Sequence, residues 1–238
     1  MSGKREKKIT PWLAMGAAAL CLIGAAVFFL KPESPAPAEP EQPGISIENV
    51  EESDVPLGHG LVVSDIGSYT GLYMEDGSDE ILAKLLMLVV TNTGDKTVQY
   101  AEISLTDGTT TANFALTTLP PGESAVLLEQ NRMAYDEGKD LTQVNVQNVA
   151  YFPSEPVIHS DKLSIQSLDG MMNVTNISGE DISGDVVVYY KNASTDMLYG
   201  GITYRVTISG GIKADEIKQV MAGHASASGS RIMFTTIS

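Results

Sequence analysis

Three histidines and one cysteine stand in a chain of 238 residues with 30 acids and 15 bases. Hydrolytic chemistry needs a nucleophile, a histidine base and an acid that orients it. His59 lies in Gly58-His59-Gly60, His159 follows a Pro-rich joint, and His224 sits among Gly, Ala and Ser. Neither G-x-S-x-G nor S-x-x-K accompanies them, so they are expected to cap or line loops, and no catalytic residue is assigned. The sequence therefore predicts a protein that is not an enzyme. Cys21 alone supports neither a disulfide framework nor a zinc cluster. Asp76-Gly77-Ser78-Asp79-Glu80 is the densest set of oxygen donors. It lacks the D-x-[DN]-x-[DN]-G spacing that wraps a calcium ion and reads as a solvated turn. No metal and no cofactor are expected. Asn173, Asn176 and Asn192 begin N-x-[ST] triplets, a frequent chance pattern that matters only in a eukaryotic secretory pathway.

Binding chemistry has better candidates. Tyr189-Tyr190-Lys191 and Tyr199-Gly200-Gly201-Ile202-Thr203-Tyr204-Arg205 gather four tyrosines and two bases. Tyr and Arg are favoured at interfaces, where they combine large contact area with a polar tip. Tyr190, Tyr199, Tyr204 and Arg205 are the candidate interaction residues, against the alternative that the tyrosines fill a sandwich core. Alternation along a strand turns Tyr189 and Tyr190 to opposite faces. Gly200-Gly201 marks a hairpin turn or a bulge. The net charge of −15 argues against nucleic acid as a partner, because phosphate binding needs excess base.

Short runs rich in Val, Ile, Thr and Tyr, punctuated by Gly, Asn, Asp and Pro, must position these residues, and they predict an antiparallel all-β protein. The expected strands are 60–66, 80–92, 97–106, 112–118, 124–130 and 143–151, then 162–168, 170–177, 184–191, 202–209, 215–221 and 231–237. Glu80 to Val90 has the Ala and Leu content of a helix, but it runs straight into Val-Thr-Asn and a turn, so its second part is read as strand. An internal repeat divides the body. Val90-Thr91-Asn92 and Val174-Thr175-Asn176 each end a strand before a Gly-containing acidic turn. Leu119-Pro120-Pro121-Gly122-Glu123-Ser124 and Ile212-Lys213-Ala214-Asp215-Glu216-Ile217 follow later in matching order. Matched devices predict two similar tandem β-sandwiches, 45–154 and 155–238, split near Pro153-Ser154-Glu155-Pro156, against the alternative of a single larger β domain.

Ahead of the body, residues 11–30 read PWLAMGAAALCLIGAAVFFL, long enough to span a bilayer as a helix. The segment 10–31 is assigned as a transmembrane helix after a basic cytoplasmic tail, 1–9. Five of the 15 bases and one of the 30 acids lie in residues 1–31, leaving 10 bases against 29 acids beyond. The positive-inside rule then places the N-terminus in the cytoplasm and the body outside. A cleaved signal peptide is a competing reading, weakened by the length of the apolar run and by the distance to Ala36-Pro37-Ala38. Leu20 before Cys21 does not suit a lipoprotein anchor, and no Glu inside the run suits a type IV pilin. Residues 32–44, with five prolines and three glutamates, form an extended stalk.

VTNTGDKTVQYAEISL, with LPPGES about twenty residues on, resembles the Ig-like modules of the CARDB and FxLYD type found outside bacterial cells. The second half, with YYKN, LYGGITYRVTI and RIMFTTI, is similar to the same module type in diverged form. The Phe-x-Leu-Tyr-Asp signature is absent, and Gly71-Leu72-Tyr73-Met74-Glu75 echoes it only in part. The resemblance implies an adhesive, scaffolding or sensor-like ectodomain. Together these readings predict a single-pass protein of a bacterial membrane that binds a protein or envelope component through its sandwiches. An accessory subunit of a transport, secretion or envelope-assembly complex is the alternative.

Overall fold

Apolar alternation between turn residues becomes strand along the whole body. The structure, a computed structural model, describes residues 45–139 and 143–238. The basic tail 1–9, the segment 10–31 with its apolar run 11–30 and the stalk 32–44 lie outside the described residues. Among the described residues no helix is long and apolar enough to cross a membrane.

The first half contains β1 (Ser46–Gly58), β2 (Leu61–Tyr73), β3 (Glu80–Asn92), β4 (Val98–Thr106), β5 (Thr111–Leu119), β6 (Ser124–Leu128) and β7 (Gln143–Tyr151). The second contains β8 (Leu163–Leu168), β9 (Met171–Asn176), β10 (Val186–Ala193), β11 (Leu198–Ile208), β12 (Ile217–Met221) and β13 (Ser230–Ile237). Every expected strand is present, and the layout is all-β and sandwich-like. Glu80–Asn92 is strand along its full length. Leu86, Leu88 and Val90 enter one core while Leu85, Met87 and Val89 enter another on the opposite face. Burial on both sides explains the unbroken apolar run and overrides its helical composition.

β1 has no counterpart among the expected strands. Its sequence, SIENVEESDVPLG, is acidic and contains Pro56, as suits an edge strand that pairs only with β2. His59 (φ 55°) and Gly60 (φ 68°) make the connecting two-residue turn, with both central residues left-handed as a type I′ hairpin requires.

Strand order repeats between the halves. In the first, β2-β3-β6 form one layer and β5-β4-β7 another; in the second, β8-β9-β12 and β11-β10-β13 repeat that order. The parallel pairing of β6 with β11, through Ala125↔Leu198 and Val126↔Tyr199, fuses layers from both halves. The result is one seven-stranded sheet, β1-β2-β3-β6-β11-β10-β13.

The repeat extends to hydrogen bonds. Asn92, fully buried, donates through Nδ2 to the carbonyls of Lys96 (2.9 Å) and Leu119 (2.8 Å), and its Oδ1 accepts from Gly94 N–H (3.0 Å). Asn176, also fully buried, donates to the carbonyls of Glu180 (2.7 Å), Ile212 (3.0 Å) and Lys213 (3.1 Å), and accepts from Ser178 N–H (3.0 Å). Gly122 N–H donates to Asn92 O, and Asp215 N–H to Asn176 O. Gly122 and Asp215 share a left-handed backbone, φ 75° and 60°. Each asparagine thus ties its own turn to the later hairpin and satisfies carbonyls that burial would otherwise strand.

Candidate functional site

Titratable side chains gather where the halves meet, around the irregular part of β11. The pairing of β10 with β11 jumps from Tyr190↔Tyr204 to Asn192↔Tyr199, so Lys191 alone stands opposite residues 200–203. Gly200-Gly201 is therefore a bulge. Gly200 takes φ 81°, and a Cβ on Gly201 would fall 1.7 Å from Ala115 O, so both positions require glycine.

The bulge turns three carbonyls inward onto a fully buried ammonium. Lys191 Nζ donates to Gly200 O (2.9 Å), Gly201 O (3.0 Å) and Ile202 O (2.9 Å). All three ammonium protons are used, so the cage fits the charged form. Burial pulls the Lys191 ammonium well below the ordinary lysine range, and the charge of Glu75 opposes that pull. Across the same peptide, Gly201 N–H donates to both oxygens of Glu75 (2.8 and 3.0 Å), whose Oε1 also accepts Leu128 N–H (3.0 Å). Desolvation raises the Glu75 carboxyl; the N–H groups of Gly201 and Leu128 and the Lys191 charge hold it down.

Beside this cage lies a cleft of about 380 Å³, lined by residues that include Leu72, Met74, Asp79, Tyr199, His224 and Ser226. His224 Nδ1 meets Asp79 Oδ2 at 2.7 Å, and its ring stacks on Tyr204 at 4.3 Å between centroids. A histidine oriented by a carboxylate is two-thirds of a hydrolytic triad. Ser226 lies in the same cleft, but its Oγ accepts Gly229 N–H (3.2 Å), and among the described residues no serine hydrogen bonds to the imidazole. The pair instead fastens the β12–β13 loop to the β2–β3 loop. His159 donates through Nδ1 to Thr235 Oγ1 (2.8 Å), whose own proton goes to Ile158 O (2.8 Å). His59, exposed in its hairpin, offers its carbonyl to Tyr151 OH (2.6 Å).

The acidic turn is engaged by one cationic side chain. Arg132 bridges Asp76 and Glu80, each at 2.7 Å, and lies 4.9 Å over the Tyr73 ring. Asp76 is held down to about 2, chiefly by its hydrogen bonds from Ser78 and then by Arg132. Glu129, fully buried, positions the loop that carries Arg132: its Oε1 accepts from Asn113 N–H (3.1 Å), and its Oε2 from Asn131 N–H (2.7 Å) and Met133 N–H (2.8 Å). Among the described residues no group of three or more His, Cys, Asp or Glu is arranged to hold a metal ion.

Of the four candidate interaction residues, Tyr190 and Tyr204 are buried in the core of the second half, 5.4 Å apart between ring centroids. Tyr204 OH donates to Met74 O (3.1 Å), and the main chain of His224 bonds the Tyr190 hydroxyl. Burial takes both rings out of any surface patch. Tyr199 lines the cleft, and Arg205 is exposed. Tyr189 faces the other way from Tyr190 and stacks on Phe234 at 4.1 Å, with Phe152 edge-on to Phe234 at 5.3 Å. Arg231 grips Glu123 through two 2.7 Å bonds and holds its carboxyl below the usual range. Sequence reasoning missed Lys191 and Glu75; the Gly-Gly bulge next to a strand lysine was their available signal.

Fold and site together define an all-β, sandwich-like protein whose matched halves are fastened by a buried polar junction. No protein-family model, curated protein or solved structure matches the chain.

Proposed function

We propose that the chain is a membrane-anchored, extracytoplasmic binding and structural protein. It presents two tandem Ig-like β-sandwiches of the CARDB and FxLYD type to a protein or envelope component. The apolar run 11–30 is the anchor, the Pro-rich segment 32–44 the spacer, and the acidic body the part held outside. One observation carries this reading: the ionisable groups at the junction are spent on fastening the chain to itself. Lys191, Glu75, Asp79, His224, Glu123 and Arg231 each bind another segment of the same body. Such ties suit a stiff body that holds its surfaces at fixed angles. Recognition then falls to strand edges, loops and the cleft beside Tyr199.

The second reading, an accessory subunit, rests on Gly16 and Gly24, whose spacing among alanines permits close helix packing. A pull-down from crosslinked cells with the tagged full-length chain and a helix-scrambled version separates the two. Capture by both versions supports the binding body, whereas capture by the native helix alone supports the accessory subunit. Protease added to intact cells should digest the body, and full protection would overturn the external placement.

A further inference from the structure

The outer edge of β6 is occupied in a defined way. Val126 pairs in parallel with Tyr199, and Leu128 N–H reaches Glu75. β12 is its equivalent in the second half, residue for residue. Thr91↔Ser124 and Thr175↔Ile217 both lie one step before the corner asparagine, so Gln219 corresponds to Val126 and Met221 to Leu128. Asn176 N–H to Glu216 O (3.0 Å) and Ala222 N–H to Gly170 O (2.9 Å) show that 216 and 222 turn their main chain toward β9. By alternation Ile217, Gln219 and Met221 turn theirs outward. Among the described residues no strand pairs with that edge. Ile217 and Met221 are 63% and 76% exposed, the most exposed large apolar side chains described.

We propose that the outer edge of β12 is a docking edge for a parallel strand from another protein. The strand is an extended, uncharged segment with consecutive apolar residues, as Leu198-Tyr199 provides to β6. This rests on the binding reading above and names its class of partner. The internal precedent selects the occupant: the edge equivalent to β12 already carries a parallel strand from a neighbouring sandwich. A second copy does not supply it in this mode, because β11 and its equivalent β5 are engaged within their own chain. β11 pairs with β6, while β5 receives Gln130 N–H on Asn113 O (2.9 Å) and donates Thr117 Oγ1 to Gly201 O (2.7 Å). Main-chain bonds from Gln219 and Met221 would supply affinity, and Ile217 and Met221 would select apolar side chains at alternate positions.

Photo-crosslinking residues placed at 217 and at 221 of the full-length chain in living cells test this. Both should label one short segment of one partner, with the 221 adduct about four residues C-terminal to the 217 adduct, as parallel strands require. Gln219→Pro removes an outward N–H while sparing the ladder to β9. It should lower both adducts at least tenfold with an unchanged melting temperature. Reversed order, scattered labels, adducts to a second copy, or adducts that survive Gln219→Pro overturn the proposal. Absence of adducts while the body still captures partners in the pull-down overturns the docking edge alone; absence of both overturns the binding reading as well.

Discussion

Asn92 and Asn176 show how much one side-chain amide organises. Each is fully buried and spends its NH2 on main-chain carbonyls from two separate segments. Replacement by alanine strands those acceptors, at roughly 1–3 kcal/mol for each group left unsatisfied. Asn92→Ala and Asn176→Ala should each lower stability by about 2–4 kcal/mol in urea unfolding. Asn→Asp at either corner should cost at least as much, because it faces carbonyls with a negative charge. Both corners were legible as Val-Thr-Asn before an acidic turn, since turn punctuation is local. Glu75 was not: beside Asp76 it reads as one more solvated acid, and its donors come from Leu128 and from the bulge of β11, the latter more than a hundred residues away.

Strands followed local patterning closely because their turns are written in Gly, Pro, Asn and Asp. The β1 edge escaped, since acids and Pro56 disguise it, and so did the β6–β11 pairing, because a parallel contact between distant segments leaves no local mark. Within β10 and β11, the caged Lys191 makes the bulge a structural requirement. Lys191→Met leaves three carbonyls without their donor and removes the charge that helps to hold Glu75 ionised, and should cost about 3–5 kcal/mol. The same lysine sets an alkaline signature. Its folded pKa is depressed, so between that value and the ordinary value of about 10.4 the unfolded chain binds more protons, and stability rises with pH. Above about 10 the trend reverses, because burial raises the hydroxyls of Tyr69 and Tyr204 and unfolding frees them to ionise. Urea unfolding between pH 7 and 11 should show a maximum near pH 10 that Lys191→Met flattens.

At the scale of the molecule, the halves share both a sheet and a core. Leu198, Met233 and Phe234 from the second half pack into the principal core of the first, and Tyr199 packs beside Val126 and Leu128. Calorimetry on residues 45–238 should therefore give one cooperative transition, with van't Hoff and calorimetric enthalpies in agreement. Residues 45–154 alone would keep the Asn92 corner but bare the edge of β6 and lose the Gly201 donor to Glu75. That fragment should melt more than 10 °C lower or fail to fold. Two resolved transitions in the whole body would show instead that the junction is weak.

The only cysteine, Cys21, lies in the apolar run, so thiol oxidation has no place on the body. Met221 is the one exposed methionine among the described residues, while Met74 and Met87 are sealed inside. Among the described methionines, a peroxide would attack that thioether first. The sulfoxide would put a polar oxygen on the apolar rim of β12, making the edge sensitive to oxidants and restorable by methionine sulfoxide reduction.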